Sequence, residues 1–392
     1  MIKGDRILID NKKVAGIVCE YNPFHNGHKY HIQQTKEITG CEYIVCAMSG
    51  SMVQRGEVAV CDKWHRAATA VDNGADLVIE IPTCYVLQSA DNYAYGAVSL
   101  LHSLGVVDCL SFGSECGDTD TLWKVADIIS HEPEEYSDAL KSALSRGNGY
   151  PAACAYALSR IMGKDFEFSP NDILAVNYIK AIHKLQSTIA PVAIHRTNNY
   201  HSTDADKAIS SATAVRALIA DGKDISSFVP DVPDTTYHTR NIESLILGFF
   251  RTAKPEQLEN ITGMEKGLAN RLISCAGESS GYDSFIDACS TKRYTRHRIQ
   301  RVVMSCILGL MGGCSMDYVR VLALSKKGCE LLAQIKKTCP LTPVTKAADF
   351  VPGANSMFRY DILSTDIAAL CCDNQSQRTA SKDFTTSPYV QK

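Results

Sequence analysis

The chain has 392 residues, 45% of them hydrophobic and 21% charged, with a formal net charge of -3. That is enough apolar sequence for a sizeable core, in two domains or in one large domain with an appendage. The near-neutral charge excludes a globally basic nucleic-acid binder, and no apolar run approaches the length of a membrane span. The 16 cysteines show no C-x-x-C pair and no zinc-ligand spacing, and the first residues lead into no apolar signal region. A reduced, cytoplasmic protein with mostly buried thiols is the expectation.

In chain order, strands are expected over 14–20, 43–48, 77–81 and 109–112, with helices over 27–39, 63–73 and 90–104 between them. This alternation predicts an α/β fold, a parallel sheet covered by helices. Helices follow at 119–130, 135–145, 151–161 and from Pro170, then a strand at 191–195, a polar loop at 197–206 and a helix at 211–220. Residues 230–235 (Pro-Asp-Val-Pro-Asp-Thr) read as a linker. Beyond them, 241–250, 263–275, 282–288 and 296–310 are expected to be helical, followed by a strand at 318–324 and a helix at 328–336. The polar stretch from Gln375 on reads as a disordered tail.

Asn22-Pro23-Phe24-His25-Asn26-Gly27-His28 follows the first strand at its carboxyl end, where open parallel sheets bind ligands. A glycine there permits close approach, a helix N-terminus offers N–H groups to phosphate, and imidazoles can donate to charge building on a phosphoryl group. Read alone, H-x-G-H fits two histidines at an ordinary turn equally well. A second constellation, Ile209-Ser210-Ser211-Ala212-Thr213-Ala214-Val215-Arg216, places hydroxyls and a guanidinium at a helix start. It reads either as an N-cap with a solvated arginine or as a phosphate clamp. Two further segments border the same sheet edge: the loop 48–57, and Asp62-Lys63-Trp64-His65-Arg66, whose Lys and Arg are either solvated or turned toward an anionic substrate.

The run Glu20-Tyr21-Asn22-Pro23-Phe24-His25-Asn26-Gly27-His28, with the stretches 48–57, 75–82, 112–115 and 209–216, resembles the bacterial tRNA(Met) cytidine acetate ligases of the nucleotidylyltransferase superfamily. The resemblance implies a Rossmann-like ATP-binding catalytic domain over 14–229, preceded by an extension, 1–13, of no assigned role. A mainly helical domain that binds tRNA follows over 230–374, and then the disordered tail, 375–392. The implied reaction is an ATP-dependent ligation of acetate, through acetyl-adenylate, to the wobble cytidine of elongator tRNA(Met). It gives N4-acetylcytidine, AMP and pyrophosphate.

Carried over by position, Ile17, Val18, Cys19, Glu20, Tyr21, Asn22, Pro23, Phe24, His25, Asn26, Gly27, His28, Lys29, Tyr30 and His31 become ATP contacts. Gly113, Asn171 and Arg196 join them, and Ser211, Thr213 and Arg216 match the triphosphate motif. His25 and His28 are assigned to charge at the α-phosphate, and Arg216 to the departing pyrophosphate. Mg²⁺ is expected with the triphosphate, although no carboxylate pair marks a metal site. Lys292, Arg293, Arg296, Arg298 and Arg301 form the best basic patch, which reads as a solvated helix start or as an RNA contact. Neither DNA nor a membrane is an expected partner. Two alternatives stay open: a small-molecule adenylyltransferase, and a non-catalytic RNA-binding protein on the same fold.

Overall fold

A computed structural model describes residues 12–163, 169–196 and 211–392. The expected loop at 197–206, residues Ile209 and Ser210, and most of the 1–13 extension lie outside the described residues. Ten strands are described: β1 (Val14–Cys19), β2 (Tyr43–Ser49), β3 (Met52–Val53), β4 (Glu57–Val58), β5 (Leu77–Ile81), β6 (Cys109–Ser114), β7 (Ala190–His195), β8 (Tyr318–Leu324), β9 (Thr342–Val344) and β10 (Tyr389–Val390). β3 and β4 form a small antiparallel pair of their own.

The main sheet runs β10-β8-β5-β2-β1-β6-β7, with β9 also on β8. From β5 to β7 every pairing is parallel. Successive residues of β2 feed opposite cores. Tyr43, Val45 and Ala47 pack toward the helices Ala90–Ser103 and Pro170–Lys184, while Ile44, Cys46 and Met48 pack toward the helices Asn26–Thr39 and Lys63–Asp72. A sheet covered on both faces explains why β2 and β5 are buried at every position and are apolar but for Ser49 and the buried Glu80. The chain moves outward from β1 through β2 to β5, then returns to the other side of β1 with β6 and β7. The reversal opens a crevice beyond the carboxyl ends of β1 and β6, the place where doubly wound sheets bind nucleotides.

The expected α/β fold with a helical later part is what the chain forms, and helices 243–252, 268–278, 282–289 and 296–307 make up that part. Two features differ from the sequence reading. β8 runs antiparallel to β5, so the chain after residue 310 rejoins the first sheet. The tail expected to be disordered also docks there. Tyr389 and Val390 pair with Ala323 and Leu324, the Tyr389 hydroxyl bonds Asp72 at 2.8 Å, and Asp383 is buried against Lys63 and Arg320. Its polar composition concealed this because the docking rests on backbone pairing, one buried carboxylate and polar contacts such as Tyr389 to Asp72, none of which leaves an apolar pattern.

Candidate active site

β1 ends at Cys19, and the chain then turns sharply. Tyr21 is buried with φ of +47°, a left-handed conformation rare for an aromatic residue. Its ring packs edge-on to Phe24 and tilts against His28. Ile17 lies in the core against the helix Asn26–Thr39, while Val18, Cys19 and Glu20 are half-buried at the strand end.

His25 is the N-cap of that helix. Its Nδ1 accepts from the Gly27 N–H at 3.0 Å, and His28 Nδ1 accepts from the His25 N–H at 3.2 Å. The helix's first N–H groups are therefore engaged: Asn26 donates to the Phe228 carbonyl, Gly27 to His25, and His28 to the His25 carbonyl. The expectation that they would be free for phosphate is corrected, because the histidine itself caps the helix. The same bonds settle the imidazole chemistry. With both Nδ1 atoms accepting, each neutral ring carries its proton on Nε2 and can donate from there. The two rings stack with centroids 3.7 Å apart and planes 29° from parallel.

Burial pushes the His25 pKa down to about 4, and Arg196 and Arg216 add to the shift. Burial likewise lowers His28 well below its ordinary value, helped by His25, His31 and Arg196. His31 is also lowered to about 4 by burial and Arg196, and its Nε2 lies 3.2 Å from the Ser111 hydroxyl on β6. These histidines are neutral near pH 7 in the free protein. Folding thus suppresses their protonation, so the unfolded chain binds more protons between pH 6.5 and 4. Stability is expected to fall as pH drops through that window. Thermal melts should show it, and His25→Asn should flatten the slope; an unchanged slope would show that His25 does not contribute to this pH dependence.

The second signature reaches the first directly. Ser211 caps the helix Ala212–Ala220 through Ala214 N–H at 3.2 Å. Arg216 donates to the Asn22 carbonyl at 2.8 Å and to the Thr213 hydroxyl at 3.1 Å. Burial and the nearby Arg55 lower the Arg216 pKa, so cationic charge is concentrated at this corner. At the end of β6, Glu115 accepts from Asn171 at 2.6 Å and from Ser169, and lies 3.7 Å from Arg196. Gly113 packs closely on the Arg196 stem, since a Cβ there would sit 3.1 Å from it. Asn171 and Arg196 therefore meet through Glu115, a role composition alone did not single out, and Gly113 joins them by packing on Arg196. Lys29 and Tyr30 are exposed on the helix surface.

The loop after β2 closes one side of the crevice. Gln54 N–H donates to Glu20 at 2.6 Å, and Gly56 lies flush on the helix Arg296–Ile307, where a Cβ would meet Arg301 N at 2.3 Å. Lys63 and Arg66 do not face a substrate and are not solvated. Lys63 pairs with Glu80 and Asp383, and Arg66 is buried among backbone carbonyls.

The basic patch is largely ion-paired. Arg293 and Arg298 share Glu265, and Arg296 bridges Asp283 and Asp287. Arg301 is half-buried and donates to the Gln54 carbonyl at 3.3 Å, while Lys292 is exposed. Sequence proximity brought these cations together, but the carboxylates opposite them come from other helices and loops.

A reversing parallel sheet with paired histidines at its switch point defines a nucleotidyl transferase, and the model of the HIGH Nucleotidyl Transferase family matches residues 12–383. The tRNA(Met) cytidine acetate ligase of Acetivibrio thermocellus is 36% identical over 96% of this chain and 100% of its own length. That of Caldanaerobacter subterraneus subsp. tengcongensis is 37% identical over 92% and 96%. The crystal structure of Thermotoga maritima TmcAL bound with alpha-thio ATP superposes with a TM-score of 0.84 at 30% identity, covering 96% of this chain and 99% of that one. The chain belongs to the tRNA(Met) cytidine acetate ligase family.

Proposed function

We propose that this chain is an ATP-dependent ligase joining acetate to a cytidine of tRNA(Met), and that the crevice described above is its ATP site. The relatives' shared name, across nearly the whole chain, favours this over a small-molecule adenylyltransferase or a non-catalytic RNA-binding protein. The ATP analogue bound by the Thermotoga maritima neighbour supports the nucleotide assignment. The observation that carries the mechanism is the stacked histidine pair, held as two Nε2–H donors at the switch point.

In the proposed mechanism the triphosphate lies between the β1 turn and the helix Ala212–Ala220. An acetate oxygen attacks the α-phosphorus, and the bond to the β,γ-pyrophosphate breaks. His25 and His28 donate to the non-bridging oxygens, where charge builds, without carrying charge themselves in the free protein. Arg216, already aligned by Asn22 and Thr213, neutralises the departing pyrophosphate. Arg196 supplies further positive potential beside the imidazoles. The exocyclic amine of the wobble cytidine of elongator tRNA(Met) then takes the acetyl group, leaving N4-acetylcytidine and AMP. No group of three His, Cys, Asp or Glu side chains that could hold a metal gathers among the described residues. Mg²⁺ is therefore proposed to arrive on the triphosphate, and no step is assigned to it. No helix among the described residues is long and apolar enough to cross a membrane; a cytoplasmic location is proposed from the tRNA substrate in the relatives' name.

The test is to incubate the protein with ATP, radiolabelled acetate and unfractionated tRNA. Label should enter elongator tRNA(Met) only when ATP is present. Labelling of other tRNAs to the same extent, or none at all, would defeat the reading.

For RNA, the proposed contact is the exposed edge of the basic patch, Lys292 and Arg293, with Arg293, Arg296 and Arg298 released from their carboxylates as phosphates replace them. A double variant, Lys292→Ala with Arg293→Ala, is expected to lower the slope of log affinity against log salt by about 1.5, the counterion release of two phosphate contacts. Filter binding across a salt series measures it. A parallel, unshifted slope would move the RNA contact elsewhere.

A further inference from the structure

We infer that Arg66 is a positioning residue of the nucleotide site, an inference resting on the ATP reading above. Arg66 sits in the first turn of the helix Lys63–Asp72 and is fully buried. Its four hydrogen bonds all go to backbone carbonyls. Nη1 donates to Glu20 at 2.6 Å and to Ser49 at 3.1 Å, Nη2 to Gly50, and Nε to Cys61 at 3.1 Å. Glu20 opens the turn that carries His25 and His28, Ser49 ends β2 and Gly50 follows it, and Cys61 leads into the helix itself. One guanidinium therefore fastens the carboxyl ends of two neighbouring central strands to one helix. Glu20 is held a second time, through its carboxylate, by the Gln54 N–H.

The chemistry of this arrangement argues for geometry over stability. A buried cation is a costly way to fill a core, and an apolar side chain of similar volume often does so at least as well. What an apolar side chain cannot do is hold carbonyls from separate loops at a fixed spacing. A planar guanidinium can, because its donors form a rigid fork, whereas an ammonium donates from a single point. The helix has its own anchor in Lys63, which pairs with Glu80 at 2.9 Å and Asp383 at 3.1 Å. A change at Arg66 should therefore loosen the two strand ends and leave the helix in place. The imidazoles would then lose their aim at the α-phosphorus, and a misplacement of about 1 Å costs on the order of 10²-fold in rate.

The experiment compares the full-length protein with Arg66→Lys and Arg66→Gln, measuring ATP affinity, kcat and KM for ATP in acetate-dependent pyrophosphate release, and amide hydrogen exchange. Arg66→Lys is expected to bind ATP within about threefold of the parent while kcat falls about 10²-fold. Exchange should quicken in residues 20–28 and 49–54 but not in β5. Arg66→Gln, which removes the charge as well, should match or exceed that loss in kcat. A parental kcat in Arg66→Lys, or a kcat that falls only with the folded fraction in both variants, overturns the inference. If the parent protein itself binds no ATP, the nucleotide reading fails and this inference with it. Parental ATP binding together with an unaffected Arg66→Lys sinks the Arg66 role alone.

Discussion

His28→Ala lowers the rate of acetate-dependent pyrophosphate release by about 10²–10³-fold, the loss typical of one preorganised donor at a developing charge. ATP affinity is expected to change far less, because in the proposed mechanism the triphosphate keeps Arg216 and Arg196. His28 is suited to this part by its surroundings. Its Nδ1 is occupied by the His25 N–H, its ring is stacked 3.7 Å from His25, and burial keeps it neutral. A neutral donor strengthens its bond as phosphoryl charge grows, and it costs no repulsion against Arg196 in the free protein. His25→Asn makes the companion test, since asparagine preserves an N-cap but removes the Nε2 donor. Its rate should fall on the same scale while thermal stability stays close to the parent. A His28→Ala enzyme with parental kcat would transfer the chemistry to other groups.

Asp383→Ala destabilises the fold by about 3–5 kcal/mol, the cost of leaving a buried charge without its partner. Lys63 and Arg320 are both essentially inaccessible, and they share the core with Glu80 and Asp383. Asp383 lies 3.1 Å from Lys63 Nζ and 3.4 Å from Arg320 Nη2. Arg320 Nε and Nη1 already have no hydrogen-bond partner among the described residues. Removing Asp383 leaves two buried cations against Glu80, and β8, which carries Arg320, borders β5 directly. Urea unfolding measures the loss, and a change under about 1 kcal/mol would show that the tail is not fastened through this carboxylate.

The central part of the fold was legible because its signals are local. Alternating apolar strands and amphipathic helices up to residue 195 mark their own boundaries, and the two nucleotide motifs lie at helix starts that sequence reveals. What escaped is non-local or lacks a period. The helix Phe358–Leu370 buries Phe358, Tyr360, Asp361, Ser364, Thr365 and Ala368, so polar and apolar residues alike face inward and no stripe forms. The tail strand is two residues long and exists only through its pairing with β8. Arg298 looked like a free cation because Glu265 lies 33 residues earlier. Lys63 and Arg66 showed a charged helix start but not that both would turn inward. At the site itself, residue types pointed to imidazole and guanidinium chemistry, yet only coordinates show that His25 uses one nitrogen to cap its own helix and so takes the N–H groups expected to meet phosphate.

Acetate is proposed to be activated by attack on the α-phosphorus of ATP beside His25 and His28. Running the full reaction with ATP, tRNA and [¹⁸O]acetate, and weighing the nucleotide product by mass spectrometry, tests it. Attack at the α-phosphorus leaves one acetate oxygen in AMP, so ¹⁸O-labelled AMP is expected in step with acetylated tRNA. Acetylated tRNA accompanied by unlabelled AMP, or by ADP and ¹⁸O-labelled inorganic phosphate, would contradict the claim.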